Sequence, residues 1–261
     1  MARRIIDLSV AMEAGIASDP PGSEPKIAYF AHDETASSLE RFFPGLTRDD
    51  LPGGDGWAVE KLEVSTHNGT HLDAPYHHHS TMNGGERAWT IDEVPLDWCM
   101  NPGVKFDFRH FDDGYVATPA DVEAELKRIG HDLRPLDIVL VNTAAGARYG
   151  QDDYVGRGCG MGRAATLWLL ERGVRVTGTD GWSWDAPFSH TAKRWAETHD
   201  PALIWEGHRA SIDIGYCHIE KLSNLEALPS SGFEVCCFPV KIKAASAGFT
   251  RAVAIFKEAG A

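Results

Sequence analysis

Residues 65–80 read Ser-Thr-His-Asn-Gly-Thr-His-Leu-Asp-Ala-Pro-Tyr-His-His-His-Ser, and no other stretch constrains the fold as much. Five of the 12 histidines lie in it: His67, His71, His77, His78 and His79. Asn68-Gly69 is a strong turn signal, because both residues tolerate the left-handed backbone of a tight reversal. Ala74-Pro75 biases the chain to an extended form, because the proline ring crowds the residue before it. In an extended stretch residues two apart share a face, so His71 and Asp73 point the same way. His67, across the turn, can converge on them. Two imidazoles and one carboxylate suit Zn, Mn or Fe and leave positions open for water and substrate, the pattern of a catalytic rather than a structural site. His78 and His79 are expected to face solvent or to stand behind the ligands.

Composition narrows the setting. The 261 residues are 43% hydrophobic and 24% charged, which excludes a disordered chain and allows one large domain. Lys plus Arg is 25 and Asp plus Glu is 38, a net charge of −13. That balance argues against nucleic acid and against an anionic membrane surface as partners. No apolar run approaches the ~20 residues of a membrane span. The opening MARRIIDLSV has no apolar stretch of signal-peptide length, so a cytoplasmic location is expected. The five cysteines include no CxxC, which leaves a zinc ribbon or a thioredoxin site without support and predicts free thiols.

Alternation and punctuation predict a mixed order of elements. Arg4–Val10, Trp57–Thr66, Gly103–Arg109, Leu136–Asn142, Val174–Thr179, Phe233–Val240 and Phe249–Phe256 read as strands. Thr118-Pro119 opens a helix that carries Val122, Leu126 and Ile129 on one side and stops at Gly130. Arg163–Arg172 is a second helix, ended by Gly173. Residues 22–56, rich in Pro, Gly and Asp, read as a loop or lid excursion from a single domain spanning 1–261. The fold class is α/β with a mixed sheet, because strands run consecutively at both ends.

Two motifs are absent. Gly158-Cys-Gly160-Met-Gly162 precedes a helix, and Asp180 follows a strand, as in a dinucleotide fingerprint. Arg163 stands where that fingerprint needs a third small residue, and the tight strand–turn–helix is missing. There is no GxSxG elbow either, so a serine hydrolase lacks its motif.

His67-Asn-Gly-Thr-His71-Leu-Asp73-Ala-Pro-Tyr-His77 resembles the HxGTHxDxPxH signature of the cyclase-like metal-dependent hydrolases, a family that includes bacterial kynurenine formamidase, isatin hydrolase and a trans-dienelactone hydrolase. The family adds a downstream His, then a Glu that precedes a segment like NLxxLP. Here His208 and Glu220 are followed by Asn224-Leu-Glu-Ala-Leu-Pro229. The resemblance implies a swivelling β/β/α fold. It implies that His67, His71 and Asp73 hold one divalent ion, Mn or Zn, and that His208 and Glu220 complete a site for one or two ions per subunit. It assigns His77 to proton transfer. It implies hydrolysis of the C–N bond of a small cyclic or aromatic amide or lactam; a lactone and a non-catalytic metal-binding role are the alternatives. It also implies a homodimer or homotetramer. The other six histidines, His32, His110, His131, His190, His199 and His218, call for no special role.

Bacterial kynurenine formamidase carries a Trp-Pro-Gly-Asp-like segment after its first strand. This chain has Ser18-Asp19-Pro20-Pro21-Gly22 there and a longer excursion, more like the isatin-hydrolase branch. Four aromatics are candidate substrate contacts. Trp182 and Trp184 follow a strand and could wall a pocket. Phe42 and Phe43 in the excursion could form a lid.

Overall fold

The computed structural model describes residues 3–257. Its frame is a nine-stranded mixed sheet. In spatial order the strands are Arg3–Asp7, Val253–Lys257, Phe233–Cys236, Met100–Asp107, Ile138–Asn142, Val176–Thr179, Cys217–Glu220, His71–Asp73 and Ala247–Phe249. The run from Met100–Asp107 to Cys217–Glu220 is parallel, and every other pairing is antiparallel.

The central strands are buried on both faces and read as apolar runs for that reason. Ile138 and Leu140 enter one hydrophobic cluster, with Leu72, Val176 and Ile219. Val139 and Val141 enter the other, beneath the helices, with Phe106, Leu126 and Leu169. Each such fully buried aliphatic side chain stabilises by about 1.5–3 kcal/mol. The helices Pro119–Ile129 and Arg163–Glu171 form the crossovers between parallel strands. Thr118 caps the first through a reciprocal box with Asp121, Pro119 occupies its first turn, and Gly130 ends it at φ +64°.

The sheet curls. Ala247–Phe249 lies at one edge and Val253–Lys257 next to the other, yet only residues 250–252 join them. Such a link spans at most roughly 14 Å, so the two edges must approach each other. Thr250 N–H donates to Thr70 O at 3.1 Å, and Leu8 N–H donates to Ala252 O at 2.9 Å, pinning the two ends of the link.

Several elements differ from expectation. The strand expected over Trp57–Thr66 is shorter, Val59–Glu63, and lies outside the main sheet, paired with Lys26–Phe30. Alternation identifies an extended segment but not the sheet it joins, and Leu62 is 55% exposed. The excursion is not a plain loop, since it supplies Lys26–Phe30 and the helix His32–Leu39. The segment expected over Phe233–Val240 stops at Cys236, before Pro239, which has no N–H to donate. Phe249–Phe256 is two strands at opposite sides of the sheet. The helix Phe188–Thr198 and the strand Cys217–Glu220 were not anticipated. Gly160 is a packing residue: a Cβ there would lie 1.8 Å from Ala186 N.

Candidate functional site

The site is built on one strand pair. His71–Asp73 runs antiparallel to Cys217–Glu220, with His71 opposite Glu220 and Asp73 opposite His218. Opposed residues share a face, and so do residues two apart on a strand. His71, Asp73, His218 and Glu220 therefore stand on one face, while Leu72 and Ile219 point into the core behind it. His67 arrives from the turn before the strand. Asn68 closes that turn, its Oδ1 accepting from Ser65 N–H at 2.7 Å and its N–H donating to Ser65 O at 3.1 Å. His208 opens the 3-10 turn His208–Ile212.

The nitrogens are oriented. His71 Nδ1–H donates to Gly69 O at 2.9 Å, which leaves Nε2 as a lone pair, 3.3 Å from Asp73 Oδ1 and 3.5 Å from Glu220 Oε2. His67 Nε2 is 3.0 Å from Ser246 Oγ, and its Nδ1 is 2.9 Å from Asp73 Oδ1. His208 Nδ1 is held by Asp185, and its Nε2 lies 3.6 Å from Glu220 Oε1 and 4.0 Å from Asp73 Oδ2. His218 Nδ1 is 3.1 Å from Thr177 Oγ1, with Nε2 3.6 Å from Glu220 Oε1.

These groups fit a metal ion. His71, Asp73 and His208 are buried, yet among the described residues Asp73 Oδ2 and the Nε2 atoms of His71, His208 and His218 have no hydrogen-bond partner, and Asp73 Oδ1 has only the His67 ring to donate to it. A buried carboxylate with so few partners is costly unless a cation completes it. His71, Asp73 and Glu220 offer one mutually close donor set, and further sets combine Asp73 with His67 and His77 or with His78 and His208. Each ring tethered on one nitrogen with the other facing the carboxylates is the arrangement that prepares imidazole ligands.

The charges of these groups depend on one another, and a cation at the site would displace protons held by the imidazoles. Burial alone would raise the Asp73 and Glu220 carboxyls, but the surrounding imidazoles hold both well below the usual carboxylate range. Burial disfavours the His208 imidazolium, yet Asp185 and Glu220 override it and push its pKa up to about 10. His67 is likewise raised, against burial, by Asp73. Burial dominates at His77 and pushes it down to about 4, and burial also lowers His78 and His218.

His77 lies on the one-turn helix Pro75–His78, its ring 4.1 Å from that of His67 and 5.0 Å from that of Trp205. Pro75 starts this helix, so the extended backbone expected at Ala74-Pro75 ends at the proline. The cleft above has a volume of about 510 Å³ and is bounded by His67, His77, Glu220, Trp182, Phe188 and Trp205. Ser23, Lys26 and Glu63 form another wall, so the start of the excursion and the outlying hairpin reach the site.

The remaining candidates are scattered. Trp182 borders the cleft, but Trp184 is buried in the core, its Nε1–H donating to Thr166 Oγ1 at 3.0 Å and its ring 4.8 Å from that of His218. It stands behind the site, not in its wall. Phe42 and Phe43 are 68% and 58% exposed and do not border the cleft; Phe42 packs on Trp57. His79 is exposed as expected. His78 is buried at the site, with its ring 5.1 Å from that of His208. Sequence reasoning missed His218, Asp185 and Trp205. The His-Ile-Glu alternation ahead of Glu220 is the signal that could have found His218.

A family model described as Cyclase, putative cyclase, matches residues 6–186. The kynurenine formamidase of Salinibacter ruber (strain DSM 13855 / M31) is 30% identical over 193 residues, covering 74% of this chain and 77% of that protein. Isatin hydrolase A from Labrenzia aggregata, solved bound to benzyl benzoate, matches with a TM-score of 0.73 at 21% identity, covering 98% of this chain and 94% of that one. A predicted metal-dependent hydrolase from Bacillus stearothermophilus matches with a TM-score of 0.65 at 18% identity, covering 98% of this chain and 100% of that one. The two structural likenesses show that the mixed α/β fold is shared.

Proposed function

This chain belongs to the Cyclase family, and we propose that it is a metal-dependent hydrolase that opens the C–N bond of a small cyclic or aromatic amide or lactam. One observation carries the reading: buried, unpartnered donors surround Asp73 beside a neutral His77, at an aromatic-walled cleft. The relative named kynurenine formamidase and the neighbour named isatin hydrolase support an amide-type bond.

His67, His71, Asp73, His208 and Glu220 would hold one or two divalent ions, and their mixture of imidazole and carboxylate suits Zn or Mn. When bound, such an ion supplies Lewis-acid polarisation of the carbonyl and makes water a stronger acid. The chain's own residues do the rest. His77 is neutral at ordinary pH and has a lone pair with which to take a proton from water. The Asp73 carboxylate favours the imidazolium that results. With its pKa held down by burial, that imidazolium is a good acid for protonating the leaving nitrogen. Trp182, Phe188 and Trp205 offer ring faces to a flat substrate and keep water from it.

Charge at the cleft favours the same direction. Asp19, Glu24, Glu63 and Glu220 border it, while Lys26 is the one Lys or Arg among the described residues that does so, and it is paired with Glu63 at 2.7 Å. A neutral amide can enter such a cleft.

Elemental analysis of the purified protein, followed by turnover of N-formylkynurenine, isatin and trans-dienelactone with added Mn or Zn, tests the proposal. Bound divalent metal with metal-dependent turnover of an amide or lactam is the expected result. A protein that binds no divalent metal and shows no metal-stimulated turnover would sink it. Turnover of the lactone alone would move the target to a C–O bond.

A further inference from the structure

Lys221 is a buried charge that no step of the proposed chemistry uses. It follows Glu220, the last residue of its strand, and its side chain is fully buried. Its backbone sits at φ +56°, a left-handed value that a long side chain rarely adopts. In a continued strand Lys221 would face away from Glu220; instead its Nζ–H donates to His67 O at 2.8 Å. The same ammonium donates to the buried Asp19. Asp19 also accepts from Asn68 Nδ2–H at 3.1 Å and from Ser18 Oγ–H at 2.8 Å, and Asn68 donates to Ser23 O at 2.8 Å. The Lys221 backbone is tied in as well. Its carbonyl accepts from Thr70 Oγ1–H at 2.7 Å, and its N–H donates to Gly181 O at 3.0 Å, one residue before Trp182.

Three parts of the site thus meet at one side chain: the strand of Glu220, the turn of His67, and residues 18–23, of which Asp19, Pro20, Gly22 and Ser23 border the cleft. Stability alone does not call for an ion pair there. Two buried charges lose their hydration, and an apolar pair of the same volume commonly serves a fold as well. The charged pair adds direction, because one ammonium holds the His67 carbonyl and the Asp19 carboxylate at fixed points. His67 is the ligand candidate that needs such an anchor. Its side chain is 27% exposed, whereas those of His71 and His208 are buried and restrained by packing.

Resting on the metal site of the hydrolase reading above, we propose that Lys221 is a positioning residue. Through the His67 carbonyl and Asp19 it couples metal binding at His67 to the seating of residues 18–23 as a wall of the cleft. Linked equilibria are reciprocal, so the effect runs both ways. A seated wall holds the turn that presents His67, and a His67 engaged at the metal site holds the wall.

The test reads metal affinity and loop protection, not turnover. Affinity for Mn and Zn is measured by competition with a chromogenic chelator. Amide hydrogen exchange over residues 11–24 is followed by mass spectrometry with and without metal. In the wild type, metal should slow exchange of this segment by about tenfold. Lys221→Met combined with Asp19→Asn removes both charges and leaves neither group buried as a lone ion, so the double variant should melt close to the wild type. It should nevertheless bind metal about 10–100-fold more weakly, and the slowing by metal should vanish. Asp19→Asn alone is the second variant if the pair does not fold, and should weaken metal binding by about fivefold or more. Wild-type affinity in a folded variant, or exchange over 11–24 that ignores metal in the wild type, shows a merely structural pair and overturns the proposal, whatever the protein hydrolyses. Coupling without turnover of any amide or lactam upholds the proposal and counts against the hydrolase reading alone. A wild-type protein that binds no divalent metal ends both.

Discussion

Asp185 grips His208 at two points: its Oδ2 accepts from the backbone N–H at 3.1 Å and from the ring Nδ1. The carboxylate thus fixes both the tautomer and the direction of the ring, and Nε2 is left to face Asp73 and Glu220. Asp185→Asn should weaken divalent-metal affinity by about 10–100-fold, as loss of a ligand-orienting partner generally does. Competition with a chromogenic chelator at fixed pH measures this. An unchanged affinity would show that backbone packing alone orients His208.

Asp73→Ala should lose metal outright. Its carboxylate is fully buried and faced by imidazoles, and every close donor set in the cluster includes this residue. Stoichiometric metal retained in the purified variant, read by elemental analysis, would disprove the ligand assignment.

His77→Ala should keep its metal while turnover falls by about 10²–10⁴-fold, the ordinary contribution of a general acid–base group. The ratio of metal to protein decides the alternative. If metal is lost, His77 is a ligand, as its grouping with His67 and Asp73 would allow.

Burial pushes the Asp180 carboxyl up to about 7, although Thr143 N–H and Oγ1–H both donate to it. In the unfolded chain it ionises near the ordinary value of about 4. The folded state therefore binds the extra proton between those values. The contribution of this one group to stability is greatest below pH about 4, falls as pH rises, and levels off above about 7, a loss on the order of 4 kcal/mol. Asp180→Asn keeps an acceptor for Thr143 and should remove this slope. Chemical denaturation from pH 4 to 8 measures the difference, and parallel curves for the two proteins would refute it.

Gly160→Ala should destabilise by about 1–3 kcal/mol or more, because its Cβ would meet the Asp185–Ala186 backbone and not a movable side chain. A melting temperature equal to the wild type's would show that this backbone can yield.

Local features were legible in the chain. The Thr118-Pro119 start and Gly130 stop were readable because capping depends on residues a turn apart. The Asn68-Gly69 reversal and the common face of His71 and Asp73 were readable for the same reason. The resemblance of the 67–77 motif supplied His208 and Glu220, which spacing alone could not. His218, Asp185 and Trp205 were not seen, because each gains its meaning from a partner far away in sequence. Trp184 shows the converse error: an aromatic cluster after a strand predicts a wall, but two indoles two residues apart in a loop can face opposite ways, one to the cleft and one to the core.

By itself, the sequence determined the acidic composition, the apolar central strands, the first crossover helix and a turn that joins His67 to His71 and Asp73. Tertiary structure alone decided that Cys217–Glu220 pairs with His71–Asp73 in the register that sets His71 against Glu220 and Asp73 against His218. It also decided that the excursion and hairpin wall the cleft, and that Asp185 reaches His208. The physical reason is range. Turns, caps and alternation are settled by atoms a few residues apart, whereas a one-residue slip of that distant strand would turn His218 and Glu220 into the core and dismantle the site.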